Sequence, residues 1–259
     1  MSLRLLFVIV SLLFSLVTSA QKVPVIVVSD PTKNYLVNTG VEYLEDVGHN
    51  MTYEQVTQTR DFQILEKGIP NFAVTKSAFW LKICLRNETD RSKLMLRVSA
   101  PTVDSISYYE AMPDSTVRTI TSGCAYPFRF REKISTDYIF NVSVHPGAEK
   151  VVYVKVSSTS PLVVPLSAGS VQAISDSDKY KDIFWGMYIG LMLAMLLYNC
   201  FIYFTTRDDS SYLFYIGYVA AVIITQITVS GYGFQLLWPS NTWVAIASSY
   251  ITPPLAGIT

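Results

Sequence analysis

The sequence predicts an all-β extracytoplasmic sandwich, jelly-roll-like, followed by an α-helical transmembrane bundle that the end of the chain truncates. Three observations carry that prediction. Of 259 residues, 50% are apolar and only 15% charged, too greasy for an ordinary soluble domain. Every Lys, Arg, Asp and Glu lies at or before Asp209, and the 50 residues from Ser210 to Thr259 carry none. The polar front shows apolar residues at period two, whereas 24 uncharged residues separate Asp182 from Arg207. The chain is thus divided by solvent, and three segments are expected: 1–20, 21–178 and 179–259. The 20 basic and 20 acidic residues cancel without a Lys/Arg run, so no nucleic-acid partner is expected.

Residues 1–20 place Arg4 before the apolar stretch Leu5 to Val17 and end on Thr18-Ser19-Ala20. That stretch of thirteen residues, two of them Ser, falls short of the roughly 20 apolar residues that cross hydrocarbon. A cleavable signal peptide is expected, with cleavage after Ala20.

From Gln21 to Asp178 the pattern is that of strands with one buried face. Leu94, Leu96 and Val98 alternate with Met95, Arg97 and Ser99, as Val152, Val154 and Val156 do with Tyr153, Lys155 and Ser157. Similar runs occupy 23–28, 79–86, 104–110, 138–144 and 163–166, punctuated by Pro, Gly, Asn and Asp. Thr52-Tyr53-Glu54-Gln55 has the form of a capping box and predicts one short helix ending near Thr57. Cys84 and Cys124 are expected to be two separate thiols.

No catalytic or metal-ligating constellation assembles in this half: no Gly-x-Ser-x-Gly, no phosphate-binding glycine loop, and no spacing of His49 or His145 that suits a metal. No enzyme activity and no cofactor are expected of it. Binding is the better reading. Phe128 and Phe130 alternate with Arg129 and Arg131, so a strand there would turn both guanidinium groups outward. With Tyr108 and Tyr109 they would form an aromatic and planar-donor surface for a small molecule or glycan. A plainer reading fits the same residues, with the aromatics as core and the arginines as a solvated face. Trp80 is expected to pack rather than bind.

The back half contains spans at about 183–206, 211–230 and 242–259, with Gly231-Tyr232-Gly233 and Trp238-Pro239 forming an interfacial loop. Gly186, Gly190 and Ala194 recur every four residues and present one face of small side chains, the kind on which another helix packs. Asn199 and Gln226 prefer a protein neighbour to membrane lipid at that depth. The signal peptide sets the orientation, with the front domain outside and the Arg207 turn inside. Because the chain stops at Pro253-Pro254-Leu255-Ala256-Gly257-Ile258-Thr259, inside an apolar segment, the remaining transmembrane helices are expected beyond it.

Several local motifs then fall in one order. They are Val41-Glu42-Tyr43-Leu44-Glu45-Asp46, Ser77-Ala78-Phe79-Trp80-Leu81-Lys82 leading to Leu85-Arg86-Asn87, and Pro101-Thr102-Val103-Asp104 leading to Tyr108-Tyr109. In the membrane half they are Tyr198-Asn199, Arg207-Asp208 before Ser211-Tyr212-Leu213-Phe214-Tyr215, and Gly231-Tyr232-Gly233-Phe234-Gln235 closing on Leu237-Trp238-Pro239. In this order the chain resembles the bacterial seven-transmembrane receptors with diverse intracellular signalling modules, over nearly its whole length after Ala20. The resemblance implies a periplasmic sensory domain on an inner-membrane, multi-pass bundle that relays to a cytoplasmic histidine kinase or diguanylate cyclase, as in two-component signalling. It implies likeness to carbohydrate-binding modules and no catalytic residues. A second copy of the chain is among the expected partners. The contrasting expectation is a membrane-anchored glycan-binding protein without signalling output. One position departs from the family pattern: after Asn71-Phe72, where glycine is expected for a tight turn, stands Ala73.

Overall fold

Period-two alternation builds two antiparallel sheets whose inner faces meet. The protein is described here by a computed structural model covering residues 25–37, 40–65, 68–206 and 210–258; the expected signal peptide and the Arg207 turn lie outside the described residues. Among the described residues, eleven strands and four α-helices follow in order: β1 Val25–Val28, β2 Asn34–Leu36, β3 Val41–Asp46, α1 Tyr53–Gln58, β4 Gln63–Leu65, β5 Ala78–Asn87, β6 Lys93–Val98, β7 Ser105–Ala111, β8 Val117–Ser122, β9 Tyr138–Ser143, β10 Glu149–Ser157, β11 Leu166–Ser170, α2 Val171–Thr206, α3 Ser210–Val229 and α4 Thr242–Ile258. One sheet runs β4-β3-β5-β10-β7-β8 with β1 parallel beside β5, and the other runs β2-β11-β6-β9.

The register aligns Leu81, Val154 and Tyr108 across the first sheet and Ala168, Leu96 and Phe140 across the second. All six are buried in one continuous core. Removing each such side chain from water contributes about 1.5–3 kcal/mol. Tyr108 stacks on Phe140 with ring centroids 4.7 Å apart, and its hydroxyl donates to Glu110 at 3.1 Å.

Alternation suggested one buried face per sheet, yet both outer faces are partly covered. On the first sheet lies α1, opened by the expected capping box: Thr52 accepts from the Gln55 amide and Gln55 from that of Thr52. Its Val56 packs with Trp80 and Tyr153. Below it Lys155 pairs with Asp46 at 2.9 Å. Burial alone would raise the Asp46 pKa, but the Lys155 ammonium and the amides of Met51 and Asn50 hold it below its ordinary value. On the second sheet lies the start of α2.

Other expectations are altered in detail. The run expected at 163–166 pairs only from Leu166 onward, while Val163 makes a lone bridge to Asn71. Cys84 and Cys124 are buried free thiols. Asn87, in a glycosylation tripeptide, has no exposed surface; its amide donates to the Arg91 and Val144 carbonyls and its oxygen accepts from Thr89, stapling the β5–β6 turn.

Ala73 makes the turn that glycine was expected to make. Its φ is 54°, a left-handed conformation in which Cβ crowds the following carbonyl. The turn is held nonetheless: the Asn71 side chain accepts the Ala73 amide at 3.0 Å, and the Leu162 amide donates to the Ala73 carbonyl at 2.8 Å. Ala73→Gly should therefore stabilise the domain by about 1 kcal/mol, the relieved strain exceeding the added chain entropy. A higher unfolding midpoint in thermal denaturation checks this.

Candidate functional site

The alternation of β6, β9 and β11 turns Met95, Arg97, Ile139, Asp137 and Ser167 to the outer face of the second sheet. Strand β11 passes directly into α2 at Ser170, whose hydroxyl accepts the Ala173 amide at 3.0 Å and donates to the Pro31 carbonyl. The helix doubles over the face just left. Ile174, fully buried, packs on Met95 and Ile139. Residues three and four apart share a helix face, so Ser177, Asp178, Lys181 and Asp182 continue that contact as a polar stripe.

Arg97 is at the centre. Its Nη1 donates to Asp178 Oδ1 at 3.1 Å and to Ser177 Oγ at 3.2 Å, and its Nε donates to Ser167 Oγ at 3.0 Å. Asp137 lies 4.0 Å from the same Nε and receives Lys181 Nζ at 2.9 Å. Lys181 also donates to Thr136 Oγ1 at 3.0 Å, and Ser135 Oγ donates to the free oxygen of Asp178 at 2.9 Å. Two cations and two carboxylates thus clamp the start of α2 to the sheet, with side-chain exposures of only 8–25%. One turn on, the Tyr232 hydroxyl donates to Asp182, and burial together with that carboxylate pushes the Tyr232 phenol well above its ordinary range. Beyond Asp182 the same helix, unbroken, becomes uncharged. Two helical segments, within Val171–Thr206 and Tyr212–Val229, are long and apolar enough to cross a membrane.

A second contact joins the sandwich to the loop between α3 and α4. The Phe128 amide donates to the Pro239 carbonyl at 2.8 Å, and the Phe128 ring meets Phe234 edge-on at 5.6 Å. Cys124, Phe234 and Ala245 close this small apolar cluster. Gly231, at φ 85°, lies so close to the sandwich that a Cβ there would sit 2.8 Å from Pro101 and 3.3 Å from Thr136. Farther out, Thr159 hydrogen-bonds Tyr250 of α4.

The four residues expected to share a ligand surface are separated. Residues Phe128–Phe130 form a 3₁₀ turn, not a strand. Its period of three puts Phe128 and Arg131 together inside and leaves Arg129 and Phe130 outside. Arg131 is a seam residue: its guanidinium stacks 4.1 Å from the Tyr138 ring and 4.6 Å from Phe128, and donates to the Ser135 and Thr136 carbonyls. Tyr108, with no exposed surface, belongs to the core. Tyr109 faces outward, stacked on Tyr53 at 5.5 Å and 5.0 Å from Trp80. Trp80 is itself packed away. Gly186, Gly190 and Ala194 lie on an exposed face of α2; among the described residues nothing comes within 4 Å of a Cβ built at either glycine. Both glycines line a groove of about 430 Å³ with Trp185, Ile189, Ile227 and Leu236.

Sequence reasoning missed the clamp. Its signal was present in Asp178, Lys181 and Asp182, spaced to share a helix face, but the charges read as a polar border to the span.

Residues 38–170 match the family described as 7TMR-DISM extracellular 2, and residues 181–259 match that described as 7TM diverse intracellular signalling. No curated protein matches the chain. Solved structures with local likeness include a GH31 alpha-xylosidase from Xanthomonas citri (12% identity, TM-score 0.30), covering 54% of this chain and 16% of that one. Another is a structure described as concerning carbohydrate-binding modules of the beta-sandwich superfamily (9% identity, TM-score 0.24), covering 53% of this chain and 54% of that one. A third is the enzymatically active domain of tailspike protein 4 of bacteriophage CBA120 (11% identity, TM-score 0.21), covering 53% of this chain and 18% of that one. These likenesses are too distant to carry an inference about this chain.

Two outcomes test the geometry. Arg97→Ala should destabilise the protein by about 3 kcal/mol because it strands buried carboxylates. Asp178→Ala should cost about 1 kcal/mol less in that background than alone, since the pair is then already broken. A double-mutant cycle of thermal unfolding measures both. At the seam, burial pushes the Cys124 thiol up to about 11, so maleimide should label it slowly at neutral pH. Gly231→Leu should force the seam apart and raise the labelling rate about tenfold, the factor that 1.4 kcal/mol of local destabilisation produces.

Proposed function

The chain belongs to the seven-transmembrane receptors with diverse intracellular signalling modules, and from that premise we propose that it is the sensing and first relay part of an inner-membrane receptor whose ectodomain binds a small saccharide or glycan end. The observation that carries the relay is the continuity of α2. One 36-residue helix begins pinned beneath the second sheet and continues without interruption into the apolar segment. A change in the attitude of the sandwich is therefore a change in the first span.

Tyr109 and Tyr126 mark the candidate ligand surface, at the membrane-proximal end of the outer face of the first sheet. The register places Ser107, Tyr109, Thr119 and Thr121 side by side there, at the border of α1, whose Tyr53 stacks on Tyr109. Burial, and then the neighbouring Tyr126, raise the Tyr109 phenol above its ordinary pKa. Aromatic faces beside hydroxyls suit a sugar, which presents C–H groups on one face and hydroxyls at its rim. Arg129, on the Phe128–Phe130 turn beside Phe130, lies outside this patch, and Arg131 and Tyr108 are structural. The exposed stripe of Gly186, Gly190 and Ala194 is where the remaining transmembrane helices would pack, and a cytoplasmic histidine kinase or diguanylate cyclase would read their rearrangement.

A thermal-shift screen of saccharides on the chain in detergent tests the reading. A stabilising sugar is expected, and Tyr126→Ala should weaken it about tenfold, as loss of one stacking ring does. In the full-length receptor Arg97→Ala should keep that affinity and lose the response. A screen without any stabilising sugar rejects the ligand class, and a signalling Arg97→Ala receptor rejects the relay.

A further inference from the structure

The loop Pro127–Thr136 sorts its side chains by face. Phe128 and Arg131 turn into the seam, and Glu132 turns inward to Arg118 Nη2 at 2.6 Å. Arg129, Phe130, Lys133 and Ile134 are left outward and exposed, Phe130 at 50% and Ile134 at 87%. Among the described residues neither Arg129 nor Lys133 has a carboxylate within ion-pair distance. Two large apolar side chains exposed side by side are costly to leave in water, and the two cations beside them, without carboxylate partners, mark the patch as a contact surface.

Their level in the molecule is set by what they adjoin. Lys133 and Ile134 line a shallow groove along α2 that runs from Val171 down to Asp178 and Asp182, the last two of these lying in the two turns before Trp185. The other end of the loop is hydrogen-bonded to Pro239, between Trp238 and the first turn of α4 with its exposed Trp243. Trp185, Tyr232, Trp238 and Trp243 form the band of amphipathic rings that marks a membrane–water interface. The exposed half of the loop therefore stands about one to two helical turns, roughly 5–10 Å, above that band, at the level of the lipid headgroups.

We propose that Arg129, Phe130, Lys133 and Ile134 form a lipid-docking wedge, with Phe130 and Ile134 set among the outer-leaflet headgroups and both cations on the phosphates of anionic phospholipid. Continuity with the membrane-spanning helices and charge complementarity select lipid over another protein as the occupant. The wedge belongs to the loop that carries Phe128 and Arg131, so lipid contact and the seam are parts of one rigid turn. The inference rests on the membrane level of the helices and not on the saccharide reading.

The test uses the whole chain in nanodiscs of phosphatidylcholine with phosphatidylglycerol as the minor component, some lipids bearing a nitroxide on the headgroup. In a Cys200→Ser background, a fluorophore is attached at Ile134→Cys or, as control, at Val117→Cys, an exposed apolar position that the register of β7 and β8 places at the end of the sheet away from the seam. Headgroup nitroxide should quench the Ile134 probe about threefold more than the Val117 probe, as expected for a side chain inside the headgroup layer. Arg129→Glu with Lys133→Glu should reduce that quenching by about half, since both reversed charges then face anionic lipid. Phe130→Cys provides a second probe position if labelling at Ile134 disturbs folding. Quenching at 130 and 134 no greater than at 117, or unaffected by the charge reversal, overturns the proposal.

Discussion

Everything below the sandwich depends on one contact, the clamp of Arg97 and Lys181 on Asp137 and Asp178. An apolar helix laid across a sheet can slide or turn at little cost, because dispersion contacts are numerous and non-directional. Hydrogen-bonded ion pairs are directional, and in a poorly hydrated place a mispaired charge is penalised heavily. The Ile174 contact supplies adhesion; the four charges supply register. They fix both the rotation of α2 about its axis and its height against β6 and β9. Because α2 continues without a break, the same register decides which face of the first span looks at α3 and which carries the exposed Gly186 and Gly190.

The seam adds a second point of attachment on the other side of the base. A domain held only by the clamp could swing about it, whereas a domain also resting on Pro239, Phe234 and Tyr250 cannot move at one point without moving at the other. Arg131 shows how tightly the two are joined. Its guanidinium donates to the Ser135 and Thr136 carbonyls, while the side chains of those residues bond Asp178 and Lys181 in the clamp. Gly231 approaches the same Thr136 from below. Segment 131–138 is thus common to both contacts, and its geometry can bias α2 and the α3–α4 loop together.

What sequence disclosed and what it hid follow from the range of the interactions. The sandwich strands, the capping box at Thr52 and the apolar spans depend on periodicity within a short window, and they were legible. The turn at Phe128–Phe130 was not, since alternating aromatics and arginines fit period two as well as period three; what chose between them was Phe234, about a hundred residues away. Ala73 shows the reverse failure: the family pattern set glycine in this turn, and hydrogen bonds to Asn71 and Leu162 hold it without one. The clamp was invisible because each of its charges is unremarkable in its own segment. Only the sheet register and the turn of α2 bring Arg97 within reach of Asp178 across 81 residues of sequence.

The candidate ligand face and the clamp lie on opposite outer faces of the sandwich, which limits how one can act on the other. Between them is a dry core with close aromatic stacking, and such cores resist shear because repacking loses contact everywhere at once. At one edge the two sheets are also bolted by polar groups. Arg118 of β8 donates to the Asn141 carbonyl of β9 and to Glu110, and buried Glu110 accepts from Lys150 and from the Ser143 amide. A ligand on the first sheet therefore has little prospect of sliding one sheet over the other. The compliant parts are the two contacts at the base, where helix meets sheet through rotatable side chains and loop meets loop through a few rings. The physical consequence is a sandwich built to move as one body, so that a small tilt of it would be carried along some 54 Å of continuous helix at 1.5 Å per residue.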